Sequence, residues 1–139
     1  MSSPPQAIIL AAGKGTRMGP TDLPKVLYEV AGRPMVHWVI KAAREAGVER
    51  CILVIGYQSQ MVRDALADEP DCSFVEQTEQ LGTAHATSMA RDLVADQGPV
   101  DLFVLAGDGP LIQCTTLHHF LEIHRRSRAA ATLATAVLD

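Results

Sequence analysis

The chain has 139 residues, 47% of them apolar, and a formal net charge of −4. That length fits one domain with a core it can bury unaided, and the acidic balance is not that of a surface built to attract nucleic acid, so any phosphate binding must come from a local basic site. Cys51, Cys72 and Cys114 form no CxxC pair, no basic leader opens the chain, and the apolar run at residues 7–12 is too short for a signal core or a membrane span, which together point to a cytoplasmic protein with neither nucleic acid nor membrane as partner.

Short apolar runs alternate with stretches of helical period. The first run, Ala7-Ile8-Ile9-Leu10-Ala11, is continuous, as in a parallel strand covered on both faces, and stops at Gly13-Lys14-Gly15. A helix is expected to open at Pro34, to carry Met35, Val36, Val39, Ile40 and Ala43 as its apolar stripe, and to end at Gly47. Residues 51–55 read as a second strand, 61–66 as a shorter helix, 73–76 as a weaker strand and 82–95 as one helix. Residues 102–105 read as the fourth strand, 115–128 as a helix with Leu117, Phe120 and Leu121 inward, and 131–138 as a possible fifth strand. Alternation of apolar strands with helices predicts an α/β fold, a doubly wound, Rossmann-like and mostly parallel sheet with helices on both faces.

Ligands of such sheets sit at the carboxyl ends of the strands, and three loops there are chemically unusual. In the first, Gly13 and Gly15 let the backbone approach a phosphate, and Lys14, Arg17 and Lys25 supply charge; the plainer alternative is a turn with solvated cations. It is neither a Walker loop nor a dinucleotide fingerprint, since Met18 stands where a third glycine would be. In the second, Gln77 ends a strand, and one carboxamide can pair with the N3–H and O4 of uracil. Thymine offers the same edge and guanine a similar one, so this residue alone leaves the base open. Gly82 would let a flat base lie near the backbone and Thr83 add a hydroxyl, unless Thr83 is only a helix N-cap. In the third, Asp108 between glycines suits Mg²⁺ held against phosphates, or is a turn residue. Asp101 lies at the wrong end of the sheet, and His118, His119 and His124 form no metal-ligand pattern. His85, Trp38 and Met35 read as helix-face or core residues.

The stretch from Leu10 to Met18 (LAAGKGTRM), then Leu23-Pro24-Lys25, resembles the signature of sugar-nucleotide pyrophosphorylases. Gln77 followed by Gln80-Leu81-Gly82-Thr83-Ala84-His85, and Gly107-Asp108 before Pro110-Leu111, are similar to the uridylyltransferase domain of the bifunctional bacterial enzymes that make UDP-N-acetylglucosamine. The resemblance implies the nucleotide-diphospho-sugar transferase fold, with UTP and a sugar 1-phosphate, foremost N-acetylglucosamine 1-phosphate, as substrates and Mg²⁺ as cofactor. It implies that the backbone at Ala11, Ala12 and Gly13, with Gln77, Gly82 and Thr83, holds uridine. Arg17 and Lys25 would hold phosphates, and Asp108 would bind the metal. The chain departs from the pattern in a Met18-to-Lys25 stretch one residue longer, in Ala106 where a tyrosine commonly stands, and above all in length. Residues 1–139 are therefore expected to be the nucleotide-binding half of a longer domain, without the sugar-binding half or an acetyltransferase domain.

The implied reaction is in-line attack by a sugar 1-phosphate oxygen on the α-phosphorus of UTP, expelling pyrophosphate. A phosphate monoester, with a second pKa of ~6, is mostly dianionic at neutral pH and needs no general base. Arg17 and Lys25 would then act by positioning and charge neutralisation. Transfer of cytidylyl, guanylyl or thymidylyl groups on the same fold is an alternative, as is a catalytically silent nucleotide-binding module.

Overall fold

A computed structural model describes residues 3–15, 22–95 and 98–138. In chain order it contains β1 (Gln6–Ala11), a 3-10 turn (Lys25–Leu27), a small hairpin of β2 (Glu29–Val30) and β3 (Arg33–Pro34), and α1 (Met35–Glu45). These are followed by β4 (Arg50–Ile55), α2 (Ser59–Ala65), β5 (Cys72–Glu76), α3 (Thr83–Met89), α4 (Arg91–Ala95), β6 (Leu102–Ala106) and α5 (Cys114–Ser127). The main sheet has the order β5-β4-β1-β6 and is parallel throughout.

The order explains the two-sided architecture. From β1 to β4 to β5 the chain steps outward in one direction, with α1 and α2 on one face. To reach β6 it must return past β4 and β1, and a right-handed crossover then carries α3 and α4 over the opposite face. Two cores result. Val36, Val39 and Ile40 of α1 and Val62 of α2 pack on Ile9, Leu53 and Ile55, whereas Ala86 and Ala90 pack on Ile8, Ile52 and Val54. The continuous apolar sequence of β1 and β4 is thus covered on both sides. Truncating Leu53, fully buried at the centre, to Ala would cost about 2–5 kcal/mol. Helix α5 joins the first face through Leu117, which meets Ala42 of α1 and Ala46 just past its end.

The sequence expectations differ from the structure in three places. Pro34 is the residue before α1 rather than its first member, and the helix closes as expected, with the N–H groups of Gly47 and Val48 returning to the carbonyls of Arg44 and Ala43. The helix expected over 82–95 breaks at Ala90, whose N–H bonds to Thr87 one residue closer than an α-helix requires. Residues 131–138 form no strand. A strand needs a ladder partner, and Leu133, Val137 and Leu138 instead stand exposed. The alternating exposure of β6 has a related cause: Leu102 and Val104 face the side of the sheet that no helix covers there.

At the amino ends of the strands Asp101 accepts from Arg125 at 2.6 Å, with His124 Nε2 3.7 Å away, a structural tie between β6 and α5. Glu69 accepts from Arg44 at 2.6 Å and lies 2.7 Å from His37 Nδ1. Burial pushes the Glu69 carboxyl up, but its bonds to Arg44 and His37 outweigh that and hold it below the usual carboxylate range. No helix among the described residues is long and apolar enough to cross a membrane.

Candidate functional site

The strand order reverses between β1 and β6, and open α/β sheets bind ligands in the crevice at that switch point. A cleft of about 410 Å³ opens there, at the carboxyl ends of β1, β5 and β6. Its floor is Leu10, Ala11, Ala12, Gly13 and Gly15; one wall carries Gln77, Gln80, Gly82, Thr83 and Ala86, and the other Lys25, Val26, Ala106 and Asp108. All three loops singled out in the sequence converge on this one cavity.

Each loop is pinned by its neighbours. The carbonyl of Ala12 accepts from the Tyr57 N–H at 3.2 Å and from Gln80 Nε2 at 3.1 Å. On the other side the Gly107 N–H donates to the Leu10 carbonyl at 2.9 Å, which extends the pairing of β1 and β6 one step into the loop. A Cβ at Gly107 would lie 2.8 Å from that carbonyl oxygen, so the two chains approach as closely as glycine permits. Gly15 has φ +65°, and a Cβ there would lie 2.7 Å from the Cβ of Lys25. The first loop is therefore seated on the stem of Lys25.

Lys25 and Asp108 pair with each other on that second wall at 2.7 Å, both about a third exposed. The structure thus joins a residue expected to hold phosphate to one expected to hold a metal. Asp108 fits a divalent cation in kind: a partly exposed hard oxygen donor beside space for phosphates. Among the described residues no group of three His, Cys, Asp or Glu side chains forms a ready-made metal cage.

Gln77 is 3% exposed, its N–H donates to the Ile55 carbonyl at 2.7 Å, and its carboxamide nitrogen lies 3.3 Å from the Gly82 carbonyl and 2.8 Å from His85 Nδ1. Two-point pairing with a base, expected from the sequence, is not what this arrangement offers: the amide hydrogens are already engaged. Thr83 is the first residue of α3 rather than its N-cap, which is Gly82, so the capping alternative falls away. Lys14 does not line the cleft; its ammonium sits 5.6 Å from the centre of the Tyr57 ring. Arg17 lies outside the described residues. Gln80, Val26 and Ala86 were given no part at the sequence level. Gln80 was signalled by its place in the motif after Gln77 and by being a second carboxamide in the same loop, but was assigned no role.

The model of the MobA-like NTP transferase domain matches residues 7–137. The chain belongs to this family. Over 129 residues it is 51% identical to the bifunctional protein GlmU of a Cyanothece species, covering 92% of this chain and 28% of that protein. The GlmU of Geotalea daltonii is 44% identical over 133 residues, 96% of this chain and 29% of its own length. The chain therefore spans less than a third of these curated relatives. Among solved structures, a UTP-bound UGPase from Acinetobacter baumannii superposes with a TM-score of 0.71 at 25% identity, over 91% of this chain and 54% of that one. The family member described here has the nucleotide-diphospho-sugar transferase fold that the sequence motifs imply.

Proposed function

We propose that this chain is the nucleotide-binding half of a cytoplasmic transferase domain that joins UTP and a sugar 1-phosphate, N-acetylglucosamine 1-phosphate foremost, into a UDP-sugar and pyrophosphate. One observation carries the reading: a single cleft sets a buried carboxamide, Gln77, on one wall and the Lys25–Asp108 pair on the other, with the glycine-rich β1 loop between them. A base fits the first wall and a polyphosphate the second. The match to GlmU proteins and the likeness to a UTP-bound structure support the choice of uridine, and the share of those relatives that is covered supports a half-domain. Three free thiols support a reducing compartment.

In this reading the backbone of Ala11, Ala12, Gly13 and Gly15 approaches the nucleotide, and Gln77, Gly82 and Thr83 hold the base. Lys25 and Arg17 neutralise phosphate oxygens. Asp108 is the protein's ligand to Mg²⁺, which when bound supplies charge stabilisation on the phosphates. The attacking sugar phosphate is already ionised, which agrees with a lining whose charged groups, among the described residues, are Lys25 and Asp108.

Calorimetric titration of the chain with UTP, CTP, ATP and GTP in the presence of Mg²⁺ tests the assignment. UTP should bind tightest; a purine nucleotide bound equally well or better would overturn it. The chain alone should release no pyrophosphate from UTP and N-acetylglucosamine 1-phosphate, and steady release would overturn the half-domain reading.

A further inference from the structure

The partners of the Gln77 carboxamide fix which of its ends a ligand meets. The same terminal atom lies 3.3 Å from the Gly82 carbonyl oxygen and 2.8 Å from His85 Nδ1. A carbonyl oxygen only accepts, so that atom is the amide nitrogen. One of its hydrogens goes to Gly82 and the other to His85. Nδ1 is therefore an acceptor, and the network assigns the imidazole proton to Nε2. Turning the carboxamide over would set two carbonyl oxygens against each other at a residue that is 3% exposed. Among the described residues no hydrogen bond engages Oε1, so it is the carboxamide atom with capacity left for a ligand in the cleft that Gln77 lines.

We infer that His85 is a positioning residue for base selection: together with the Gly82 carbonyl it accepts from the Gln77 amide and so holds the carboxamide with its oxygen, an acceptor, toward the base. The inference rests on the uridine reading of the cleft. An imide N–H, as at N3 of uracil, meets that acceptor. Cytosine carries a lone pair at N3 and meets it with repulsion. Specificity between two pyrimidines of nearly equal size then arises from a tautomer one residue removed from the ligand. His85 holds this place because α3 begins at Thr83, which puts its imidazole in the first turn, above the Gly82 carbonyl that Gln77 also uses. That carbonyl accepts as well from the Ala86 N–H at 3.0 Å, so the carboxamide is tied to a helix start and not to a loose loop.

The test compares the wild-type chain with His85→Ala and His85→Asn by calorimetry, with UTP and CTP as the titrants. Wild type should prefer UTP. His85→Ala removes one of the two acceptors that hold the amide, so the carboxamide is held less firmly and the UTP-to-CTP ratio should fall by about tenfold, the scale of one neutral hydrogen bond. His85→Asn keeps an accepting oxygen near the Nδ1 position and should restore most of the ratio. If both variants weaken UTP and CTP equally, His85 only packs and the inference is wrong. A wild-type chain without preference for UTP would overturn the uridine reading itself, and this role with it. Nitrogen-15 spectra of the imidazole give a second readout, independent of any nucleotide. A neutral His85 protonated on Nε2 supports the assignment, and one protonated on Nδ1 overturns it.

Discussion

Replacing Gly107 with Ala isolates the close approach of β1 and β6 beneath the cleft. Gly107 is buried and its φ is not in the left-handed region, so alanine can adopt its backbone conformation. The penalty is steric. The added methyl would stand 2.8 Å from the backbone oxygen of Leu10 and 3.1 Å from Val26 Cγ1. A side-chain tip can swing away, but the Leu10 oxygen belongs to a strand paired on both sides and already accepts from the Gly107 N–H. Forcing a methyl into such a site costs about 1–3 kcal/mol. Stiffening the unfolded chain by removing a glycine returns about 0.4–1 kcal/mol. Gly109→Ala shares that gain and lacks the clash, since its nearest atom is the Ala106 oxygen at 3.5 Å. The difference between the two variants therefore reports the clash alone, about 1–3 kcal/mol. Urea unfolding of wild type and both variants measures it, with Gly107→Ala having the lower midpoint and Gly109→Ala matching or exceeding wild type. If the two variants were equally stable, the seam would have slack and the reasoning would fail.

Four further outcomes are expected. In an active longer parent, Lys25→Ala should lower turnover by ~10²–10³ with a much smaller change in UTP affinity, the pattern of a preorganised charge acting on the transition state; a rise in KM alone would make Lys25 a binding residue only. Asp108→Asn should lose activity that added Mg²⁺ partly restores, and wild-type behaviour at every Mg²⁺ level would reduce Asp108 to a turn residue. Because Glu69 titrates below its ordinary value of 4.5, its contribution to stability is complete above that pH and is lost as the pH falls through its lower, folded-state value. The stability gap between wild type and Glu69→Gln should therefore shrink on acidification, and a gap that is flat with pH would refute the ion pair. The Cys51 Sγ–H bond and the nearby Arg44 guanidinium hold Cys72 below the usual thiol range, while the bond to Cys72 and burial push Cys51 up. Iodoacetamide should thus modify Cys72 before Cys51, as mass spectrometry of timed digests would show; the reverse order would contradict the charge pattern.

The architecture was legible because its signals are local. A five-residue apolar run without alternation, as at residues 7–11, can be buried on both faces only at the centre of a parallel sheet, and there it sits. The site was legible for a topological reason: once the strands are placed, their carboxyl-end loops must meet. Contacts set by distant partners were not legible. Nothing in the sequence near Gln77 shows that Gly82 and His85 engage its amide hydrogens, and nothing near Lys25 shows that Asp108 faces it. Lys14, adjacent to two cleft glycines, turns to the Tyr57 ring through a contact no spacing rule foresees. The hairpin of β2 and β3 has two-residue strands, too short to display a period. Residues 131–138 fail for the opposite reason. Their composition suits a strand, but composition cannot provide a neighbour to pair with.

Under the proposed function, the Lys25–Asp108 contact makes occupancy of the cleft an exchange of partners. The two side chains neutralise each other at 2.7 Å, so before any ligand arrives this pair adds little net field to draw in a polyphosphate from afar. A metal ion without nucleotide must compete with an ammonium for Asp108, and a nucleotide without metal must compete with a carboxylate for Lys25. Each is at a disadvantage alone. Together they relieve both conflicts, since the carboxylate released by Lys25 turns to the cation and the freed ammonium to phosphate. The two affinities are therefore linked, and by thermodynamic reciprocity nucleotide must strengthen metal binding by the same factor by which metal strengthens nucleotide binding. An ion pair that looks like a stabilising crosslink is, on these terms, a coincidence detector for the metal–nucleotide complex.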